Sequence, residues 1–163
     1  VYWQQIGSEK KTLKKLPVST KAVLITKDGH ILLMRKSNGI VDLPGGKVEE
    51  GEDLFETLNR EVEEETGLNV ERFEFVASWV KHHPTLGDRL VVVFEARIKT
   101  KAKKTPVIMS PEHGWFDFIC PLTVDEIGDM PPGYGNAISI CHNRHQTRKA
   151  KKAKAKMIAK AAQ

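Results

Sequence analysis

The segment from Asp53 to Thr66 constrains this chain most, because it reads as a helix that must bury one side. Leu54, Phe55, Leu58 and Val62 recur at helical spacing, and Gly67 suits the residue that ends a helix. At 100° per residue these apolar side chains cover an arc of about 100°. Along the edge of that stripe runs REVEEETG, residues 60–67, with Glu61, Glu63, Glu64 and Glu65 inside five positions. Glu61, Glu64 and Glu65 fall within another arc of about 100°, whereas Glu63 points elsewhere. Like charges four apart destabilise a helix by ~0.2–0.5 kcal/mol, and partial burial raises that cost. A cation turns the repulsion into binding. Clustered carboxylates are hard oxygen ligands suited to Mg²⁺ or Mn²⁺.

The rest of the chain supplies a setting for such a helix. KAVLITKDGHILLMRK (21–36) reads as a β-hairpin turning at Asp28-Gly29. VDLPGGKVEEGE (41–52) is a loop punctuated by Pro44, Gly45, Gly46 and Gly51. Strands are expected over 70–80, 89–98 and 113–118, a charged loop over 99–106 and a short helix over 122–128. A last helix is expected from Asn136. Strands and helices mix without strict βαβ alternation, which predicts an α/β protein: a mixed β-sheet covered by helices on both faces. The length of 163 residues suits a single core. No apolar run is long enough for a membrane span, and residues 1–20 lack the apolar centre of a leader. Two cysteines, Cys120 and Cys141, make no disulfide framework, so a cytoplasmic setting is expected.

The net charge of +5 is misleading. Seven basic residues and no acid lie between Arg148 and Gln163, leaving a mildly acidic body with a basic Lys/Ala-rich extension. The expected boundary is residues 1–146 for the domain and 147–163 for a C-terminal helix or tail. The tail has almost no apolar stripe, so it is expected not to pack on the body. Its charge suits weak nucleic-acid contact.

From Gly46 to Leu68 the sequence GKVEEGEDLFETLNREVEEETGL resembles the Nudix box. That pattern is a glycine, five residues, Glu, seven residues, Arg-Glu, an aliphatic, any residue, Glu-Glu, any residue, Gly and an aliphatic. Gly46, Glu52, Arg60, Glu61, Val62, Glu64, Glu65, Gly67 and Leu68 meet every fixed position. The resemblance implies a Nudix-type α/β/α sandwich and hydrolysis of a nucleoside diphosphate linked to another group. Carried over position by position, it makes Glu64 and Glu65 the main metal ligands and Glu61 a ligand or base. The Gly45 carbonyl completes the shell, Arg60 orients the carboxylates, and Glu52 supports that network. A further carboxylate before the last strand is implied as base or ligand. Glu112 stands in such a place, with Glu95 as its competitor in a strand that could face solvent. Lys47 and Arg35 are candidate phosphate contacts.

Substrate markers are thinner. Asn136, after the proline pair Pro131-Pro132, resembles the place where members that clear oxidised dGTP read the purine. Pro84 lies 16 residues past the box, as in members that cleave ADP-ribose. The leading expectation is a nucleoside triphosphate cleaved to monophosphate and pyrophosphate, with ADP-ribose next. A Nudix-like domain used only for binding is the alternative of another kind; an intact box favours the enzyme. Cys141, His142 and His145 stand at metal spacing, but no second Cys/His pair lies nearby for a four-ligand site.

Overall fold

The hairpin forms where the sequence places it, and it makes room for the site by coming apart. The computed structural model of the chain describes residues 14–162. Residues 1–13, part of the expected first domain and of the stretch read for a leader, lie outside the described residues, as does Gln163. Strands β1 (Val18–Ile25) and β2 (Ile31–Lys36) meet at Ile25 and Ile31, with the Thr26 N–H donating to the His30 carbonyl at 2.8 Å. Gly29 takes φ +89° in the turn. β2 then leaves β1. It runs antiparallel to β6 (His113–Ile119) and to the short β3 (Val41–Asp42), while β1 runs parallel to β5 (Arg89–Arg97). β4 (Phe73–Lys81) pairs antiparallel with β5 and closes the order β3-β2-β1-β5-β4, with β6 on β2.

The edge of β1 that β2 abandons is filled by the glycine loop. Ala22 N–H donates to Pro44 O at 2.8 Å, Thr20 N–H to Gly46 O at 2.9 Å, and Val48 N–H to Val18 O at 3.0 Å. Backbone groups in a buried strand must be paired, and here a loop pairs them. The glycine loop of the sequence thus pairs directly with β1 within the sheet.

Both faces of the sheet are covered, which explains the unbroken apolar run Ala22-Val23-Leu24-Ile25. Ala22 and Leu24 pack with Leu58, Val62, Val92 and Phe94 beneath α1 (Leu54–Thr66). Val23 and Ile25 pack with Leu43, Val93, Tyr134, Ile138 and Cys141 beneath α2 (Tyr134–Ala161). This is the expected three-layer sandwich with a mixed sheet. Helix α1 starts at a capping box, Asp53 accepting from Phe55 and Glu56 N–H while the Glu56 side chain accepts from Asp53 N–H. It ends at Gly67 in the left-handed region, as the sequence predicts.

Two expectations are corrected. The last helix begins at Tyr134, not Asn136, because Gly133 provides the turn. Gly133 has φ +93°, and a Cβ there would lie 2.6 Å from the Trp79 ring. Glu95 does not face solvent. It is 1 % exposed, paired with Arg148 and 3.8 Å from Arg144 of α2, so it anchors that helix. Arg148 is the last residue with an ion pair or hydrogen bond to the sheet among the described residues. Beyond it α2 continues as an exposed helix to Ala161. The expected boundary at 146 therefore lies two residues before the last anchor. Among the described residues, no helix is long and apolar enough to cross a membrane.

Candidate active site

Helix α1 lies across the glycine loop, and its acids meet that loop differently. Arg60 organises them. Its Nε and Nη2 donate to the two Glu52 oxygens at 2.7 and 2.9 Å, a bidentate pair. Its Nη1 reaches Glu61 Oε1 at 2.9 Å and Glu64 Oε2 at 3.5 Å. Thr57 Oγ1 also donates to Glu52, and with Arg60 it brings the Glu52 carboxyl down to about 2. Arg60 is held above the usual guanidinium range, chiefly by Glu52. Arg60 thus contacts Glu52, Glu61 and Glu64 at once.

Glu61 lies directly against Gly46. A Cβ on Gly46 would come within 2.0 Å of Glu61 Oε1, so only glycine leaves space for that carboxylate. Glu65 reaches one residue earlier, its Oε2 accepting the Gly45 N–H at 2.7 Å. It is 8 % exposed, and burial pushes its carboxyl up to about 7, against the pull of Lys21 and the Gly45 N–H. Glu64 instead points outward, with its side chain 61 % exposed. Among the described residues no three acid, His or Cys side chains stand together as a ready ligand set. Glu61 and Glu65 are held at the loop; Glu64 is not.

Three residues that sequence reasoning missed complete the site. Lys21, in the middle of β1, donates through Nζ to Asp42 Oδ2 at 2.9 Å, Leu43 O at 2.9 Å and Gly45 O at 2.6 Å. The Gly45 carbonyl, read from the box as a metal ligand, is therefore shared with an ammonium. Asp42 also meets Lys36 Nζ at 2.8 Å and the Tyr134 hydroxyl, which donates at 3.0 Å. Burial works to raise the Asp42 carboxyl, but Lys21 and Lys36 hold it below its ordinary value. His113 opens β6 with Nε2 3.7 Å from Glu65 Oε1. It is 4 % exposed, and burial lowers its imidazole. Neither ring nitrogen has a hydrogen-bond partner among the described residues.

A family model described as the NUDIX domain matches residues 15–138. The chain belongs to the Nudix family. A methanol dehydrogenase activator of Bacillus methanolicus is 31% identical over 124 residues, 73% of this chain and 65% of that protein. An ADP-ribose pyrophosphatase of Bacillus subtilis (strain 168) is 30% identical over 94 residues, 55% of this chain and 50% of that protein. The match thus spans less than two thirds of the length of either relative. The crystal structure of a MutT protein from Methanosarcina mazei Go1 superposes with a TM-score of 0.66 at 25% identity, covering 85% of this chain and 99% of that one.

In this Nudix domain the outlying candidates separate. Glu112 lies exposed in the turn before β6, next to His113, and its side chain makes no ion pair or hydrogen bond among the described residues. Lys47 is exposed beside β1. Arg35 is engaged elsewhere, donating to Ile127 O at 2.9 Å and Gly39 O at 3.3 Å while lying 5.3 Å over the Trp115 ring. Asn136 lies exposed in the first turn of α2 and lines a cavity of about 360 Å³ with Asp125, Asp129, Met130, Pro131 and Gly133. Cys141 is buried under α2, its thiol pushed up to about 12 by that burial.

Proposed function

We propose that this Nudix domain is a divalent-metal-dependent pyrophosphohydrolase acting on a nucleoside diphosphate linked to another group. The observation that carries the reading is the fit of Glu61 and Glu65 to consecutive glycines of a loop built into the sheet. The donor set fits a hard cation: Glu65 is a carboxylate that burial raises toward neutrality, a cost that a bound cation would offset, and every donor is an oxygen. Glu61, Glu64, Glu65 and the Gly45 carbonyl would hold Mg²⁺ or Mn²⁺, with Lys21 sharing the last of these. When bound, that ion supplies charge neutralisation for the phosphates and a water of lowered pKa. Arg60 keeps Glu61 at the loop and leaves it as ligand or base. Glu112, one residue from His113, is our candidate for the distant base or further ligand. Lys47 is placed to neutralise phosphate charge at the loop. Arg35 would have to leave its carbonyl partners to do so, and we rank it below Lys47. A cytoplasmic setting fits a substrate of this kind.

For the substrate itself, the first reading is a nucleoside triphosphate, oxidised forms included. It rests on Asn136, which lines the cavity at the start of α2 and whose amide could pair with a purine edge. The second reading is ADP-ribose, favoured by the similarity to an ADP-ribose pyrophosphatase and by Pro84. The test is kcat/KM with Mg²⁺ and Mn²⁺ for dGTP, its 8-oxo form and ADP-ribose. A triphosphate is expected to lead, and Asn136→Ala to lower its kcat/KM by about tenfold, the scale of one lost hydrogen bond. ADP-ribose turning over faster than every triphosphate would install the second reading.

The basic part of α2 is proposed as a separate, weak nucleic-acid contact. Lys149 to Ala162 are all exposed, and their lysines bind polyanions by counterion release. Truncation after Lys149 keeps the Arg148 anchor. Turnover on a small nucleotide is then expected to stay within about twofold, as for distant independent sites. RNA retention at low salt falls. Loss of small-nucleotide hydrolysis in the folded truncation would place the tail in the active site.

A further inference from the structure

Lys21 lies midway along the buried strand β1, between Ser19-Thr20 and the apolar run Ala22–Ile25, and it is itself 8 % exposed. Burying an ammonium costs several kcal/mol unless it is paired and hydrogen-bonded. All three hydrogen bonds that an ammonium can donate are made here. One goes to Asp42, one to the Leu43 carbonyl and one to the Gly45 carbonyl. The last two acceptors flank Pro44, so the ammonium grips the chain on both sides of the bend that leads into the glycine loop. Gly45 has φ +128°, and its N–H, on the opposite side of the residue from the gripped carbonyl, donates to Glu65. Asp42 in turn takes the Tyr134 hydroxyl from the first turn of α2.

We propose that Lys21 is the positioning residue of the glycine loop. Its ammonium fixes the Leu43-to-Gly45 bend and so aims the Gly45 N–H at Glu65, with Asp42 and Tyr134 tying the same bend to the start of α2. The inference rests on the reading of this loop as part of a hydrolytic site, but its structural half can be read without substrate or metal. Lys21 is not placed to touch the reacting atoms. Its effect passes through the backbone of Gly45, whose displacement by even 1 Å would carry Glu65 out of register.

Removing Lys21 alone would leave Asp42 buried with less compensation, so the test uses the charge-balanced pair Lys21→Met with Asp42→Asn. Amide hydrogen exchange is followed by NMR on the metal-free protein. Exchange at Gly45, and at Ala22 and Thr20 whose N–H groups donate to Pro44 and Gly46, is expected to rise about tenfold or more, while Val93 in β5 keeps its protection. Activity on the preferred nucleotide is expected to show a fall in kcat of about tenfold with KM within about twofold, as for lost alignment rather than lost binding. Unchanged exchange at Gly45 in the folded variant overturns the proposal, whatever the activity. Loss of the fold in this charge-balanced variant also counts against it, because Lys21 would then hold the sheet rather than the loop. Raised exchange without a fall in kcat would keep the positioning contact and remove its catalytic meaning, which overturns the proposal as stated.

Discussion

Glu65→Gln is expected to lower turnover by about 100-fold or more, and Glu64→Gln to do the same, because each removes a negative charge from the proposed ion site. The two variants reach that result from different starting points. Glu65 is buried against the Gly45 N–H, so the glutamine can keep that hydrogen bond through its carbonyl oxygen while losing the charge. Glu64 is exposed and meets only Arg60 at 3.5 Å, so its replacement disturbs almost nothing in the metal-free protein. Neither change should lower the melting temperature appreciably. Glu65→Gln relieves the desolvation that pushes its carboxyl up to about 7, so stability at neutral pH holds or rises. Turnover is measured at saturating Mg²⁺ alongside thermal melting. Near-wild-type turnover in both variants would remove the carboxylates from the chemistry.

Gly45→Ala is expected to have the larger effect on stability. A Cβ there would lie 2.3 Å from the Thr20 carbonyl oxygen and 3.0 Å from the Lys21 Cα, and φ at this position is +128°. Both obstacles are backbone, so no side chain can rotate away. The loop must leave the edge of β1, which strips partners from Thr20 and Ala22 N–H and from Glu65. The expected cost is about 3 kcal/mol, from strained backbone plus lost buried hydrogen bonds. For a domain of this size that corresponds to a fall of about 10 °C in melting temperature. Gly46→Ala is different in kind: its Cβ meets the Glu61 carboxylate rather than backbone, so activity should suffer more than stability. A melting temperature for Gly45→Ala within a degree or two of wild type would mean that the loop is not locked into the sheet as described.

Much of this site was legible because its signals are local. Helix α1 announces itself through an apolar stripe and a terminal glycine, all inside fifteen residues. The Arg60–Glu52 pair follows from one helix running past the loop that precedes it. The hairpin turn and the two-sided burial of β1 are likewise written in Asp28-Gly29 and an unbroken aliphatic run. Lys21, Asp42 and His113 were not legible, because each has a decisive partner 20 or more residues away. Lys21 did carry a signal, a charge set directly before an unbroken aliphatic run inside one strand. Asp42, between Val41 and Leu43, is the matching acid. His113 shows how fine the margin is. The sequence reading named its neighbour Glu112 in the same turn and not the buried histidine, and successive residues entering a strand face opposite ways. Glu95 was misjudged for a related reason: its partners Arg144 and Arg148 belong to a helix whose anchor lies beyond the expected boundary.

The position of the broken bond tests the central claim most directly. ³¹P NMR of a nucleoside triphosphate incubated with the wild-type domain and Mg²⁺ is expected to show the α–β linkage lost, with nucleoside monophosphate and pyrophosphate growing together in equal amounts. Release of orthophosphate and nucleoside diphosphate as the only products would contradict the account, since water would then be attacking the terminal phosphorus in a different phosphohydrolase chemistry.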